Sequence, residues 1–457
     1  MIKQIFREYD IRGIYKSELN ESSVKAIGLA LGRVMMAKGT KTLSVGHDAR
    51  THARQIFSWL VSGLNLAGLK VYDIGLVPTP VGYFSVFTGR FDANVMITGS
   101  HNPKEYNGFK ITIGTDSYFG EDLQLLYKDV AWLMDKNEMI PDDESAIKFD
   151  IKSEYVNYLK EQFSHLFALD LDIVIDCGNG AAGEVVTELV KGLNLKAKVL
   201  HPEPDGEFPN HHPDPSEKEN LVDLQRYLDN NKAELGFGFD GDADRIAVLS
   251  KDKNIKGDEL AYLYSLAMKN PRILGEVKCS QNIYDALNKR GSKSFMGKTG
   301  HSNIKKAMKE LDIDLAAEVS GHIFFKERYF GFDDAIYAML RVLELVYNGI
   351  NLKAELDKLP IVYSTDEIKF QASEESKFKI IKQLKQQLEN GQISLPQIKE
   401  VIDIDGVRVR FERGWALVRA SNTTPVIVMR FEADTKALCD ELAMKFVSAV
   451  KAIKEQL

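Results

Sequence analysis

The sequence predicts an α/β protein: three α/β domains with mixed sheets, followed by a smaller C-terminal α+β domain. Three observations carry this. Apolar β-like runs alternate with segments at helical spacing through most of the chain, the pattern of sheets covered by helices on both faces. The strand–loop–helix theme recurs in three successive parts, with no fixed short repeat period. The tail then changes character, to consecutive strands flanked by two amphipathic helices.

The elements follow in order. "KTLSVGHDART" reads as a strand and turn, and "QIFSWLVSGLNLAG" as the helix after it. "ANVM" is a further strand, running into the loop-like "ITGSHNPKEYNG". "NEMIPDDESAIKFD" (137–150) is polar, lacks apolar period and reads as a linker. In the second part "LDIVIDCGNGAAG" is a buried strand ending in a glycine-rich turn, and "EVVTELVKGL" is helical. "SKDKNIKGDE" (250–259) marks the next boundary. The third part repeats the order with "DLAAEVSGHIFF" and "DDAIYAMLRVLELVY", up to "DKLPIVYSTDE" (357–367). In the tail, "FKIIKQLKQQLENG" is a helix, "GVRVRFERGWALVRASNTTPVIVMRFEA" a run of strands, and "KALCDELAMKFVSAVKAI" a closing helix. The expected domains are 1–146, 147–249, 250–360 and 361–457.

Composition narrows the function. At about 150 residues per domain, 457 residues suggest about three domains, enough for several buried cores. A net charge of -7 argues against a nucleic-acid partner, whose phosphates need clustered Lys and Arg, but permits a local basic pocket for small phosphorylated molecules. Cys177, Cys279 and Cys439 are far apart and odd in number, so they form neither a disulfide framework nor a metal spacing. The N-terminus is charged at once and no stretch is long and apolar enough to span a membrane. The expectation is a cytoplasmic protein in a reducing compartment.

The strongest chemical signal is "GFGFDGDADRIAVLS". Asp240, Asp242 and Asp244 are spaced by two and in an extended chain would share one side. Three such carboxylates need a cation, and a hard divalent ion, Mg²⁺, suits oxygen ligands. Against a solvated acidic turn stands their place between two apolar runs, where bare charge is costly. An EF-hand is excluded, because the sixth position is Arg245 and the twelfth Lys251. Arg245 either neutralises the aspartates or stabilises a transferring phosphoryl group. "RASNTTP" offers Arg419 as a planar fork, with Ser421, Asn422, Thr423 and Thr424 as further donors; phosphate wrapping and ordinary turn formation both explain it. "AEVSGH" supplies Glu318, Ser320 and His322 at spacing two, suited to a polyol ligand or to the polar face of a half-exposed strand. "KTGHS" holds Lys298 and His301, the latter a candidate general acid or base or simply a structural histidine. In "FPNHHPDP", His211 and His212 are adjacent and point apart, so the segment reads as an ordered Pro-rich loop and not a metal site.

Ser100 lies in no Gly-x-Ser-x-Gly elbow, because Asn102 stands at the second glycine position. Hydroxyl nucleophiles need activation by a base or a metal. A phosphorylated Ser100 would instead carry about -1.5 to -2 charge and three acceptor oxygens, one able to complete the metal's coordination. That arrangement would make it a phosphoryl donor activated by Lewis-acid withdrawal.

"FREYDIRG", "TGSHNPKEYNGFK", "FDGDADR", "KTGHS", "EVSGH" and "RASNTTP", in this order and spread over essentially the whole chain, resemble the motifs of the α-D-phosphohexomutases, and within them the bacterial phosphomannomutase/phosphoglucomutase branch. The resemblance implies four domains around a central cleft. It implies that Ser100 is a phosphoserine carrier and that Asp240, Asp242 and Asp244 bind one Mg²⁺ together with its phosphate. Tyr9, Arg12, His101, Lys110, Arg245, Lys278 and His301 would line the catalytic cleft, Lys278 resting on the weakest motif, "EVKCS". Glu318, Ser320 and His322 would contact sugar hydroxyls, and Arg419, Ser421, Asn422 and Thr423 would grip the phosphate that is not reacting. The implied reaction moves a phosphoryl group reversibly between the 1- and 6-positions of mannose and glucose phosphates, through a hexose 1,6-bisphosphate that turns around in the cleft. The partners would be small hexose phosphates, acting on a monomer. "EVSGH" resembles the dual mannose/glucose type. Ala317 departs from the glycine usual before this glutamate, and its Cβ would restrict the backbone if φ there had to be positive.

Other readings remain. The chain could be a member selective for glucose or glucosamine phosphates. "GFGFDGDAD" also resembles the aspartate-nucleophile phosphatases and mutases, where Asp240 would carry the phosphate, but no Thr or Val follows at the expected place. A non-catalytic sugar-phosphate sensor would keep "RASNTTP" without needing Ser100 beside a metal.

Overall fold

The computed structural model describes residues 2–422 and 424–457. Its strands form four sheets in chain order. The first contains β1 (Ile11–Ile14), β2 (Thr42–His47), β3 (Lys70–Leu76), β4 (Ala93–Ile97), β5 (Tyr106–Ile113), β6 (Asp116–Ser117) and β7 (Ile147–Lys148). Its order is β1-β5-β4-β2-β3-β7, with β6 beside β5; β2 runs parallel to β3 and β4, and β5 antiparallel to β4 and β1. The second sheet holds β8 (Ile173–Asp176), β9 (Ala197–Leu200), β10 (Leu235–Phe239), β11 (Ile246–Ser250) and β12 (Lys253–Ile255), in the order β12-β11-β10-β8-β9. The third holds β13 (Arg272–Glu276), β14 (Lys293–Gly297), β15 (Leu315–Ala317) and β16 (Ile323–Phe325), in the order β14-β13-β15-β16. Both mix parallel and antiparallel pairs.

The fourth sheet is antiparallel throughout: β17 (Tyr363–Ser364), β18 (Ile368–Gln371), β19 (Ile398–Ile402), β20 (Val407–Phe411), β21 (Gly414–Ala420) and β22 (Val426–Ala433). Helices Glu374–Glu389 and Lys436–Glu455 pack on it. The α/β units and the α+β tail therefore stand as the alternation of patterns required.

Two local readings need correction. "DLAAEVSGHIFF" is not one strand: β15 and β16 form a hairpin whose turn is 318–322, where Gly321 takes φ +97. The polar stretches read as linkers also carry strands, since β7, β12 and β17 each pair with a sheet edge. Such strands run two or three residues and bury little on either side, so they leave no apolar alternation to read.

One apolar cluster runs from Val81 and Phe84 through Tyr155 and Phe237 to Phe325 and Tyr337, joining the first three units. The tail keeps its own core around Ile380, Val418 and Phe446. It docks on the third unit through a small apolar contact of Val277, Trp415 and Leu417 and through Arg408. That fully buried guanidinium lies 4.0 Å from the Trp415 ring and donates to the carbonyls of Val277 and Cys279. Replacing Arg408 by Met leaves two buried acceptors without their donor, a loss of about 1–3 kcal/mol. Calorimetry of Arg408→Met should show the tail melting ahead of the rest; one unchanged transition would contradict this docking role.

Candidate active site

The units meet at a cleft of about 740 Å³ lined from all four sheets' loops. At its floor the chain leaves β4, turns through Ser100 and returns along β5. Ser100 is buried and takes φ +47, the left-handed region that costs a side chain strain. Its N–H donates to Thr98 Oγ1 at 2.8 Å, and Arg50 donates to its carbonyl at 2.9 Å. Asp48 holds the approach, accepting from Thr98 Oγ1 at 2.9 Å and Gly99 N at 2.8 Å. The result aims the Ser100 hydroxyl across the interface between the first two units, where it donates to Asp240 Oδ2 at 2.8 Å. His101 Nδ1 lies 3.1 Å from Ser100 Oγ.

Asp240, Asp242 and Asp244 converge, but not by strand alternation. Strand β10 ends at Phe239, and the triplet sits in a tight turn with Ala243 at φ +56. Asp240 Oδ1 accepts the N–H groups of Asp244 at 3.1 Å and Arg245 at 3.2 Å, which folds the turn onto its own first carboxylate. Gly241 is required: a Cβ there would come within 2.6 Å of the Ser100 carbonyl. All three carboxylates are buried, and one oxygen of each lies within 4.8 Å of the others. Lys110, from β5, donates to Asp242 Oδ2 at 2.7 Å and to Asp244. Thr79 Oγ1 reaches Asp242 Oδ2 at 2.6 Å. Burial and its two neighbouring aspartates push Asp240 far above the carboxylate range. Asp242 Oδ1 and Asp244 Oδ1 are buried and have no hydrogen-bond partner among the described residues. An all-oxygen set with two orphaned acceptors fits a hard divalent cation.

The wall beside the triplet comes from the third unit. Arg245 Nε donates to His322 Nε2 at 2.9 Å, and His322 Nδ1 lies 3.1 Å from Asp333 Oδ2. Asp333 also takes Lys305 at 3.1 Å. The His301 ring stacks against His322, with centroids 5.8 Å apart, at the start of helix His301–Glu310. Glu318, Ser320 and His322 reach the cleft from the hairpin turn, not from one strand face. Glu318 Oε1 accepts from Gly300 N at 2.6 Å. Ala317 lies in β15, paired with Gly275 and Ile323, and has no positive φ, so its Cβ imposes no backbone strain.

The far wall joins the first, third and fourth units. Tyr9 donates to Thr299 O at 2.8 Å and receives a hydrogen bond from Asn422. Arg12 donates to Thr98 O at 2.9 Å and pairs with Asp10. Arg419 Nε donates to Asp405 Oδ2 at 3.0 Å, and that carboxylate oxygen also accepts Thr299 N at 3.1 Å. Lys278 pairs with Glu367 at 2.8 Å, holding that carboxylate down to about 2. Ser421 Oγ meets Thr424 Oγ1 at 2.9 Å, and the buried Lys377 donates to Ser421 O at 2.7 Å. Thr423 lies outside the described residues. Every other site residue read from the sequence borders the cleft or touches a residue that does.

The sequence reading missed Arg50, Asp48, Thr79, Asp333, Lys305, Asp405 and Lys377. "HDAR" directly after a buried strand was a usable signal for Asp48 and Arg50, since charge there needs a partner. The others stand as isolated polar residues in ordinary segments.

Sequence profiles of one family cover the chain in four successive pieces. They are phosphoglucomutase/phosphomannomutase alpha/beta/alpha domain I at residues 3–128, domain II at 153–254, domain III at 256–363 and the C-terminal domain at 367–449. The chain belongs to the phosphoglucomutase/phosphomannomutase family. It is 40% identical over 459 residues to a phosphomannomutase/phosphoglucomutase of Pseudomonas syringae pv. tomato, covering 99% of this chain and 96% of that one. A phosphoglucomutase of Neisseria gonorrhoeae is 38% identical over 458 residues, covering 98% and 97%. Among solved structures, a phosphoglucomutase/phosphomannomutase family protein of Burkholderia thailandensis superposes with a TM-score of 0.88 at 37% identity, over 99% of this chain and 98% of the other. The protein is thus an enzyme of the phosphohexomutase isomerases, carrying an acidic cluster able to hold a metal. Among the described residues, no helix is long and apolar enough to cross a membrane.

Burial, then the nearby Lys305 ammonium, holds His301 well below the usual imidazole range. The unfolded chain takes that proton near pH 6.5 and the folded one does not, so this group's share of stability is present above about pH 6.5 and is lost as pH falls below it. NMR of ¹³C-labelled histidine should find the His301 ring unshifted from about pH 8 to about pH 6. A midpoint near 6.5 would contradict the assigned environment.

Proposed function

We propose that this enzyme moves a phosphoryl group reversibly between the 1- and 6-positions of mannose phosphates and glucose phosphates, with Ser100 as the phosphate carrier. The observation that carries the reading is the Ser100 hydroxyl, held 2.8 Å from Asp240 Oδ2 at the edge of three buried carboxylates and facing the cleft. Mg²⁺ bound among Asp240, Asp242, Asp244 and an oxygen on Ser100 would supply Lewis-acid charge at the phosphorus.

The chain's own groups do the rest. Lys110 and Arg245 border the reacting end and offset charge on the phosphoryl oxygens. The bond from Ser100 Oγ to phosphorus breaks as a bond from a sugar oxygen to phosphorus forms, and the hydroxyl proton passes to a base. His101 and His301, both held below the imidazole range chiefly by burial, are neutral near pH 7 and so offer an unprotonated ring nitrogen as the candidate acceptors. Glu318, Ser320 and His322 hold sugar hydroxyls. Arg419, Ser421, Asn422 and Thr423 hold the phosphate at the other end, with Tyr9, Arg12 and Lys278 around it. A hexose 1,6-bisphosphate carries phosphate at both ends and can therefore occupy the cleft in either direction; it serves as intermediate and as activator. A grip on O3 and O4 leaves C2 untested, which supports use of both mannose and glucose. Each of the four units brings one piece of the cleft, so a monomer suffices; the expected bounds at 146/147 and 249/250 shift a few residues later, because β7 (Ile147–Lys148) pairs in the first sheet and β12 (Lys253–Ile255) in the second. Three buried free thiols and a net charge of -7 support a cytoplasmic enzyme acting on small sugar phosphates, without nucleic-acid or membrane partners.

Peptide mass spectrometry tests this reading. Purified enzyme should carry phosphate on Ser100 that disappears on adding glucose 6-phosphate. Ser100→Ala should lower kcat by about 10⁴-fold or more while the Kd for sugar phosphate stays within about threefold. Phosphate on Asp240, or normal turnover in the alanine variant, would overturn the carrier assignment.

A further inference from the structure

The segment "FPNHHPDP" (208–215) belongs to the second unit, between β9 and β10, yet it reaches the Ser100 loop of the first. Its two histidines point in opposite directions. His211 Nε2 lies 2.9 Å from the buried Asp176 Oδ2 at the end of β8, and His211 Nδ1 lies 3.0 Å from the His212 carbonyl. Asn210 adds a second anchor, donating to Asn179 Oδ1 at 2.7 Å. The loop is thereby fixed to its own sheet. His212 projects the other way, with Nε2 2.6 Å from the carbonyl oxygen of His101. A carbonyl only accepts, so Nε2 carries the hydrogen.

That carbonyl is the one that follows the strained residue. Ser100 sits at φ +47, a conformation that persists in a non-glycine residue only where its surroundings over-determine it. Its own carbonyl is gripped by Arg50 from the first unit, at 2.9 Å. The next carbonyl, on His101, is gripped by His212 from the second. The two grips meet, because Phe208 of the same loop lies 5.4 Å from the Arg50 guanidinium. We propose that His212 is a positioning residue for Ser100, fixing the His101–Asn102 peptide one residue beyond the phosphate carrier and so setting the direction of Ser100 Oγ. The proposal rests on Ser100 being the carrier. It gives the adjacent histidines separate duties: His211 anchors the loop, and His212 transmits that anchorage across the interface. Release of the His101 carbonyl would let Ser100 relax toward ordinary backbone, swinging Oγ away from Asp240.

The test compares His212→Gln, His212→Asn and His212→Leu with wild type. Both amides donate hydrogen bonds, but only the longer glutamine side chain matches the reach of Nε2. Readouts are kcat, KM, and the rate at which glucose 6-phosphate removes phosphate from Ser100 in a single turnover. Leu and Asn should lower kcat and the single-turnover rate by about 10- to 100-fold, with KM within about twofold, and Gln should recover most of the loss. Wild-type rates in Leu or Asn would overturn the proposal. So would equal losses in Gln and Asn, which would mean that loop packing and not the hydrogen bond matters. If the leucine variant does not fold, the two amides decide the matter alone. A wild-type enzyme with neither mutase turnover nor Ser100 phosphate would instead overturn the carrier reading itself.

Discussion

Three buried carboxylates on one turn set the terms for the whole molecule. Asp240, Asp242 and Asp244 cannot be packed together without opposing charge, and Lys110 of the neighbouring unit provides part of it. Burial alone would discharge the lysine, but the aspartates hold it firmly protonated. The pairing does two things at once. It locks the first sheet against the second, helped by Thr79 on Asp242, and it brings Ser100 within hydrogen-bond distance of Asp240. Burial and the other two carboxylates drive Asp240 toward its protonated form, and Asp242 Oδ1 and Asp244 Oδ1 still lack a hydrogen-bond partner among the described residues. A divalent cation would let all three ionise and would offset the charge of a phosphate on Ser100.

The remaining units are arranged around this pair with different firmness. The third shares a continuous apolar core with the first two, so His322, Asp333 and His301 stand on a rigid wall. The tail has its own core and touches the third unit over a small patch around Arg408 and Trp415. Two of its loops, one after β21 and one between β19 and β20, meet the rest of the cleft through polar contacts, Asn422 with Tyr9 and Asp405 with Thr299. A small interface with polar, water-competent contacts is the kind at which neighbouring units move relative to one another.

Much of this was legible in the chain. Alternation of strand and helix patterns was enough for the four-part architecture, because buried parallel strands and amphipathic helices leave strong periodic signatures. The aspartate triplet was legible because charge between apolar runs needs a reason, whereas Ser100 and Arg419, each alone also readable as a turn residue, were joined to it through the resemblance. The geometry behind them was less so. The aspartates and the Glu318–His322 set converge through tight turns, Ala243 and Gly321 supplying the left-handed residues, whereas spacing by two suggested strand faces. Asp333 and Asp405 were invisible: each is a single acidic residue whose partners come from distant segments, and no local pattern encodes that. The short edge strands β7, β12 and β17 escaped notice for a related reason, since pairing along one sheet edge demands no apolar side chains.

The most direct measurement compares divalent-cation binding with Ser100 phosphorylated and dephosphorylated, by electron paramagnetic resonance titration with Mn²⁺. If the three aspartates and the serine phosphate form one site, the phosphorylated enzyme should bind a single ion about tenfold tighter or more, because the phosphate adds two charges and further oxygen ligands. Equal affinity in the two forms, or tighter binding without the phosphate, would contradict a shared site.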